Sequence, residues 1–163
     1  MKEIMNTPEK ARTARGFSLV ELIIVIGLIG VLSTVAVFAW QGFRDNTNLR
    51  TAARDIATNI SASKQRAVTE GIRYRLTFVA GGNSYTIAAD PFTPALTQTK
   101  ALTEFGPGLS IVSTNFALGQ LTLLSRGTLS GSTGRVIVGN SRGSQATITV
   151  NVTGRTHVQF AMQ

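Results

Sequence analysis

Hydrophobic positions change period twice along the chain. From Phe17 to Trp40 the sequence is apolar on every side of a helix, broken by one charge, Glu21. From residue 41 to 70 the apolar positions narrow to a stripe: Leu49, Ala53, Ile56, Ile60 and Ala67 recur at three- and four-residue spacing. Arg50, Arg54, Asp55, Lys64, Gln65 and Arg66 fall between them on the wetter sides. No proline lies between Phe17 and Glu70, and Gly71 is a natural stop. The two stretches therefore predict one helix of about 54 residues, apolar all round in its first half and amphipathic in its second. Fewer than four clean heptads are present, which counts against a coiled coil.

After Gly71 the period drops to two. Arg73 to Val79 reads as a strand, turned by Gly81-Gly82-Asn83 into a second strand, Ser84 to Ala89. Asp90 to Pro107 holds three of the four prolines and reads as a loop. Further strands are expected at Leu109–Ser113, Gln120–Leu124, Arg135–Val138, Ala146–Val152 and Arg155–Phe160, separated by glycine turns. Isolated hairpins need a surface to cover. The expected fold class is α+β, a long N-terminal helix packed by its amphipathic half against a C-terminal antiparallel β domain.

Residues 17–40 in a helix span about 36 Å, enough to cross a hydrocarbon core of about 30 Å. Three readings compete for this stretch. A cleaved secretory signal finds a small-residue site at Val37-Phe38-Ala39, but such signals have shorter apolar regions and rarely carry a carboxylate. A plain signal anchor leaves Glu21 unexplained, at a cost of about 2.5–3.5 kcal/mol near mid-bilayer depth. The third reading explains the carboxylate. Gly16-Phe17-Ser18-Leu19-Val20-Glu21-Leu22, behind a leader containing Lys2, Lys10, Arg12 and Arg15, resembles the processing motif of type IV prepilins and pseudopilins.

That resemblance implies cleavage by a prepilin peptidase after Gly16, N-methylation of the new terminus at Phe17, and an assembly role for Glu21. Cleavage creates a cationic amine in apolar surroundings, and two buried charges are each costly unless paired at short range. In the family, the Glu of an incoming subunit meets the terminal amine of a neighbour. A lone Glu favoured by the helix macrodipole is the bland alternative, but it needs no Gly-Phe-Ser before it. The implied organisation is a cleaved cytoplasmic leader over 1–16, a transmembrane half-helix over 17–40, an amphipathic half-helix over 41–70 and a β-rich periplasmic or extracellular domain over 71–163. The basic leader fits a cytoplasmic N-terminus at the bacterial inner membrane, although Arg44, Arg50 and Arg54 follow the span and the family resemblance sets the orientation. Gly27 and Gly30 are the bend-promoting positions of the run.

The short strands and glycine turns from Leu121 onward, ending in Gly154-Arg155, resemble the H-type minor pseudopilins and FimT-like minor pilins. The implied partners are other pilin or pseudopilin subunits, the prepilin peptidase and, before assembly, the inner membrane. The implied role is a minor structural subunit of a secretion pseudopilus or a pilus. The alternative is a FimT-like pilin that binds DNA during uptake.

Composition bears on that alternative. Formal net charge is +8, with 12 Arg against 4 Lys. Residues 105–163 carry Arg126, Arg135, Arg142 and Arg155 and no Asp or Glu, a one-signed region open to anionic partners or simply a solvated basic surface. Those four arginines are the candidate DNA contacts. In this resemblance His157 stands where some FimT-like relatives associated with DNA binding carry a second basic residue. Few aromatics interleave with the arginines, which argues against base stacking.

The remaining chemistry is sparse. There is no Cys, so neither a disulfide nor a thiolate metal site can form. A single His rules out a His cluster, and nothing around the serines resembles a nucleophile elbow. Gly106-Pro107-Gly108 is a turn without the Lys-Ser/Thr of a phosphate loop. No acidic residue follows Glu104, so the clustered-Asp calcium loop of major secretion pseudopilins is not expected. No cofactor and no enzymatic activity are expected. A signal-anchored peripheral sensor is the distant third option.

Overall fold

The computed structural model describes residues 17–163, the side chains of 35–40 excepted. The expected leader, Gly16 included, lies outside the described residues. One helix, α1, runs from Leu19 to Glu70 over 52 residues. Its first turn contains Glu21, and the Ser18 carbonyl accepts the Leu22 N–H at 3.1 Å. Gly71, at φ 70°, ends it by taking the left-handed conformation that a side chain disfavours. The chain divides into two compact units, with the break between Ala39 and Trp40. Among the described residues no helix is long and apolar enough to cross a membrane. The apolar run read in the sequence extends to Trp40, and the side chains of 35–40 lie outside that description.

The unit Trp40–Gln163 holds the core. Eight strands follow α1: β1 (Tyr74–Phe78), β2 (Ser84–Ala89), β3 (Thr97–Ala101), β4 (Ser110–Thr114), β5 (Gln120–Leu123), β6 (Gly134–Gly139), β7 (Gln145–Val150) and β8 (Thr156–Ala161). They form two antiparallel four-stranded sheets, ordered β3-β2-β1-β5 and β4-β6-β7-β8. The turn after β1 joins them: Gly81 N–H donates to the Ile111 carbonyl at 2.7 Å, and Ile111 N–H returns to Gly82 at 2.8 Å.

All five predicted stripe residues of α1 are fully buried, and they meet the inward faces of both sheets in one cluster with Phe78, Tyr85, Val136 and Ile148. Alternate positions of β1, β6 and β7 point into it, as a period of two requires. A polar link crosses the same boundary. Asn59 Nδ2 donates to Asp55 Oδ2 and to the Tyr85 hydroxyl, both at 2.8 Å, and Tyr85 donates to Asp55 at 3.1 Å. Burial, then the Asp55 charge, hold the Tyr85 phenol protonated well above the ordinary tyrosine range.

The expected loop over 90–107 needs correction. Within it Thr97-Gln98-Thr99-Lys100-Ala101 forms the edge strand β3, paired with β2 from Ser84↔Ala101 to Ala88↔Thr97. Four of its five residues are polar and none is fully buried, so no alternation of apolar positions marked it. The segment before it is pinned by an Arg73–Asp90 ion pair at 2.9 Å and by the Arg75 guanidinium 3.9 Å from the Phe92 ring centre. The other predicted strands appear within two residues of their expected ends.

Candidate functional site

Two regions carry the candidate functional residues. The first is the start of α1. Phe17 is 78% exposed and precedes the helix; Glu21 sits exposed in its first turn, where the macrodipole favours a negative charge. From Leu19 to Leu32 the large apolar side chains are between 41% and 73% exposed. A helix segment with apolar side chains on every face and no cover among the described residues requires lipid or other helices around it. Gly27 and Gly30 have open space where a Cβ would stand, so nothing among the described residues demands glycine there.

The second region is the basic C-terminal part. Here the four sequence-selected arginines divide three to one. β6 starts, β7 ends and β8 starts at the same end of their sheet, which places Arg135 beside the β7–β8 turn that carries Arg155. Arg126 joins them because its turn docks on the same corner: Leu129 N–H donates to the Val152 carbonyl at 2.9 Å. Arg142 lies at the opposite end of the β6–β7 hairpin, about 17 Å away along the strand. There its Nε donates to Asp45 Oδ2 of α1 at 2.7 Å. The two ion pairs among the described residues, Arg73–Asp90 and Arg142–Asp45, leave Arg126, Arg135 and Arg155 without a carboxylate partner.

A tight junction holds the three together. A Cβ on Gly154 would come within 2.7 Å of the Gly127 carbonyl and 3.0 Å of Lys64, and Gly154 has φ 71°. Lys64 Nζ donates to the Thr153 carbonyl at 2.8 Å, tying the β7–β8 turn to the helix. Asn151 fixes the turn further, accepting the Arg155 N–H on Oδ1 at 2.9 Å. His157 shares the outward row of this sheet with Arg135, through Thr149 between them. Lys64 is the cation that sequence reasoning did not assign to this end. Its position on the helix gave no sign of which turn would lie over it.

In the pair Gly154-Arg155, then, the glycine is needed for packing and the arginine is not. Gly154→Ala is expected to cost about 1–3 kcal/mol, from crowding and left-handed strain. Arg155→Ala, on the surface, is expected to stay within about 0.5 kcal/mol. Urea unfolding midpoints of the two variants check this.

Comparison with known proteins bears on both regions. The prokaryotic N-terminal methylation motif matches residues 11–37. Among curated protein sequences none matches the chain. Among solved structures, the Pseudomonas aeruginosa type IV minor pilin FimU aligns with a TM-score of 0.57 at 16% identity, covering 72% of this chain and 92% of that one. A second crystal form of FimU gives 0.54 at 16% identity over 68% and 92%. The minor pseudopilin EpsH from the Type 2 Secretion System of Vibrio cholerae gives 0.53 at 13% identity over 71% and 97%. The chain thus matches the prokaryotic N-terminal methylation motif at its start and has a pilin-like fold, similar to that of these minor pilin and minor pseudopilin structures.

Proposed function

We propose that the chain is a non-enzymatic minor subunit of a type IV filament, a secretion pseudopilus or a pilus. It is cut after Gly16 by a prepilin peptidase, methylated at Phe17 and assembled through Glu21 and the helix behind it. Before assembly it is held in the inner membrane by residues 17–40, with the leader cytoplasmic and the β domain periplasmic. The observation that carries this reading is the methylation motif over residues 11–37, together with a helix from Leu19 whose apolar side chains to Leu32 stand uncovered among the described residues. The fold it shares with FimU and EpsH supports it. Comparing the protein's size on a denaturing gel from cells with and without the prepilin peptidase tests it. A shift by the mass of the leader is expected; identical mobility refutes the reading and favours a signal-anchored protein.

A second reading, DNA capture during uptake, is favoured by one observation: Arg126, Arg135 and Arg155 share one end of the fold with no carboxylate partner among the described residues. Three phosphate contacts give a salt slope of about −2.7 in log K against log salt. Arg142, bound to Asp45, is expected to contribute little. Gel shifts of the full chain in detergent with duplex DNA across salt measure the slope. No shift at low salt rejects this reading and leaves the structural role standing.

A further inference from the structure

The unit Trp40–Gln163 has a groove of about 410 Å³ on its helix, lined by Phe43, Thr47, Arg50, Arg54 and Met162 among others. Helix positions 43, 47, 50 and 54 form one stripe at three- and four-residue spacing, beside the buried stripe. Phe43 is 68% exposed, an aromatic ring with little cover among the described residues. The C-terminal wall is held in place. Ser144 Oγ accepts the Gln163 N–H at 2.9 Å, and Asn46 Nδ2 donates to the Gln163 carbonyl at 3.3 Å. Arg50 stands over the Phe160 ring at 5.6 Å. The groove therefore joins two cations to apolar side chains and is formed before anything binds. Among the described residues β8 is also the last strand of its sheet, paired on one side only.

We propose that this groove receives an extended, acidic segment of a different protein. The segment would lie along the open edge of β8, with carboxylates at Arg50 and Arg54 and apolar side chains on Phe43 and Met162. Charge complementarity selects this occupant over a second copy. Residues 40–163 carry twelve Arg and Lys against five Asp and Glu. Of those five, Asp45 and Asp90 are in ion pairs, Asp55 accepts from Asn59 and Tyr85, and Glu70 accepts from Tyr74. Glu104 is the one carboxylate left, so two copies meeting here would bring cation to cation. Pairing with an edge strand supplies backbone hydrogen bonds, and side chains alternating between groove and solvent supply selectivity. That the segment belongs to a neighbouring filament subunit rests on the function proposed above; its chemistry rests on the groove alone.

The test uses the full chain in detergent with ¹³C-methyl methionine, the Met162 methyl being the reporter. The probe is a short synthetic peptide of alternating Glu and Val, with a Lys–Val peptide as control. The Glu–Val peptide is expected to shift the Met162 signal saturably, and Arg54→Glu to weaken it by at least about 10-fold while Arg54→Lys retains it. Equal shifts from both peptides, or a response to Glu–Val that Arg54→Glu leaves unchanged, overturn the proposal. A Met162 shift that grows with protein concentration alone and disappears in Arg54→Glu also overturns it, in favour of self-association. Peptide binding does not depend on cleavage behind Gly16. Failure here and failure of the filament reading are therefore separate results.

Discussion

Replacing Glu21 with leucine is expected to remove the chain from filaments while leaving the stability of the Trp40–Gln163 unit unchanged. Residues Leu19 to Leu32 present apolar side chains on every face, so on the function proposed above an assembled subunit would bury this segment among others like it. Cleavage behind Gly16 would set a cationic amine at Phe17, one helical turn from Glu21. On the function proposed above, the carboxylate of one subunit and the amine of another would satisfy each other in that setting. Removing one leaves the other buried and unpaired, at about 3–5 kcal/mol. Incorporation should fall at least about 100-fold, read by immunoblot of sheared filaments against total protein. Glu21→Gln keeps the shape without the charge and is expected to fail alike. Wild-type incorporation of either variant would show that the carboxylate is a helix-start residue and nothing more.

Ile56→Ala is expected to destabilise the β-bearing unit by about 2–5 kcal/mol, the cost of a large-to-small change where the surroundings cannot collapse. Ile56 is fully buried in the cluster that α1 shares with both sheets. Residues of both sheets surround the helix stripe, so the cavity would open at the centre of the unit. Urea unfolding of the full chain in detergent measures it, with exposed Thr58→Ala as the control expected within about 0.5 kcal/mol. A loss below about 1 kcal/mol for Ile56→Ala would mean that the helix is not an integral wall of the core. Phe43, Thr47, Arg50, Arg54 and Lys64 ride on that helix, so both candidate surfaces depend on its packing.

How much of this was legible in the sequence depends on what each residue had to signal. The helix stripe announced itself because Leu49, Ala53, Ile56, Ile60 and Ala67 repeat with the helical period and must be covered. Most strands did so through alternation bounded by glycine. β3 did not: an edge strand of Thr, Gln and Lys buries little and pairs through its backbone, which side-chain pattern cannot report. The motif at Gly16–Leu22 was readable because cleavage and charge pairing need fixed residue types at fixed offsets.

The arginines were readable as a list and not as a surface. Whether Arg142 stands with Arg126, Arg135 and Arg155 depends on which end of a hairpin each occupies, and on Asp45, almost a hundred residues earlier in the chain. Lys64 and the groove of Phe43, Arg50, Arg54 and Met162 arise from contacts between chain ends, which no local spacing records. Gly154 is a further case. Its left-handed turn could be guessed from residue type, but the carbonyl of Gly127 pressing against it could not.

Mass spectrometry of the N-terminal peptide of the protein purified from its native membrane addresses the central claim most directly. The expected peptide begins at Phe17, carries one methyl group on its amine and lacks residues 1–16. A peptide beginning at Trp40, or one that still runs through Gly16, would contradict it.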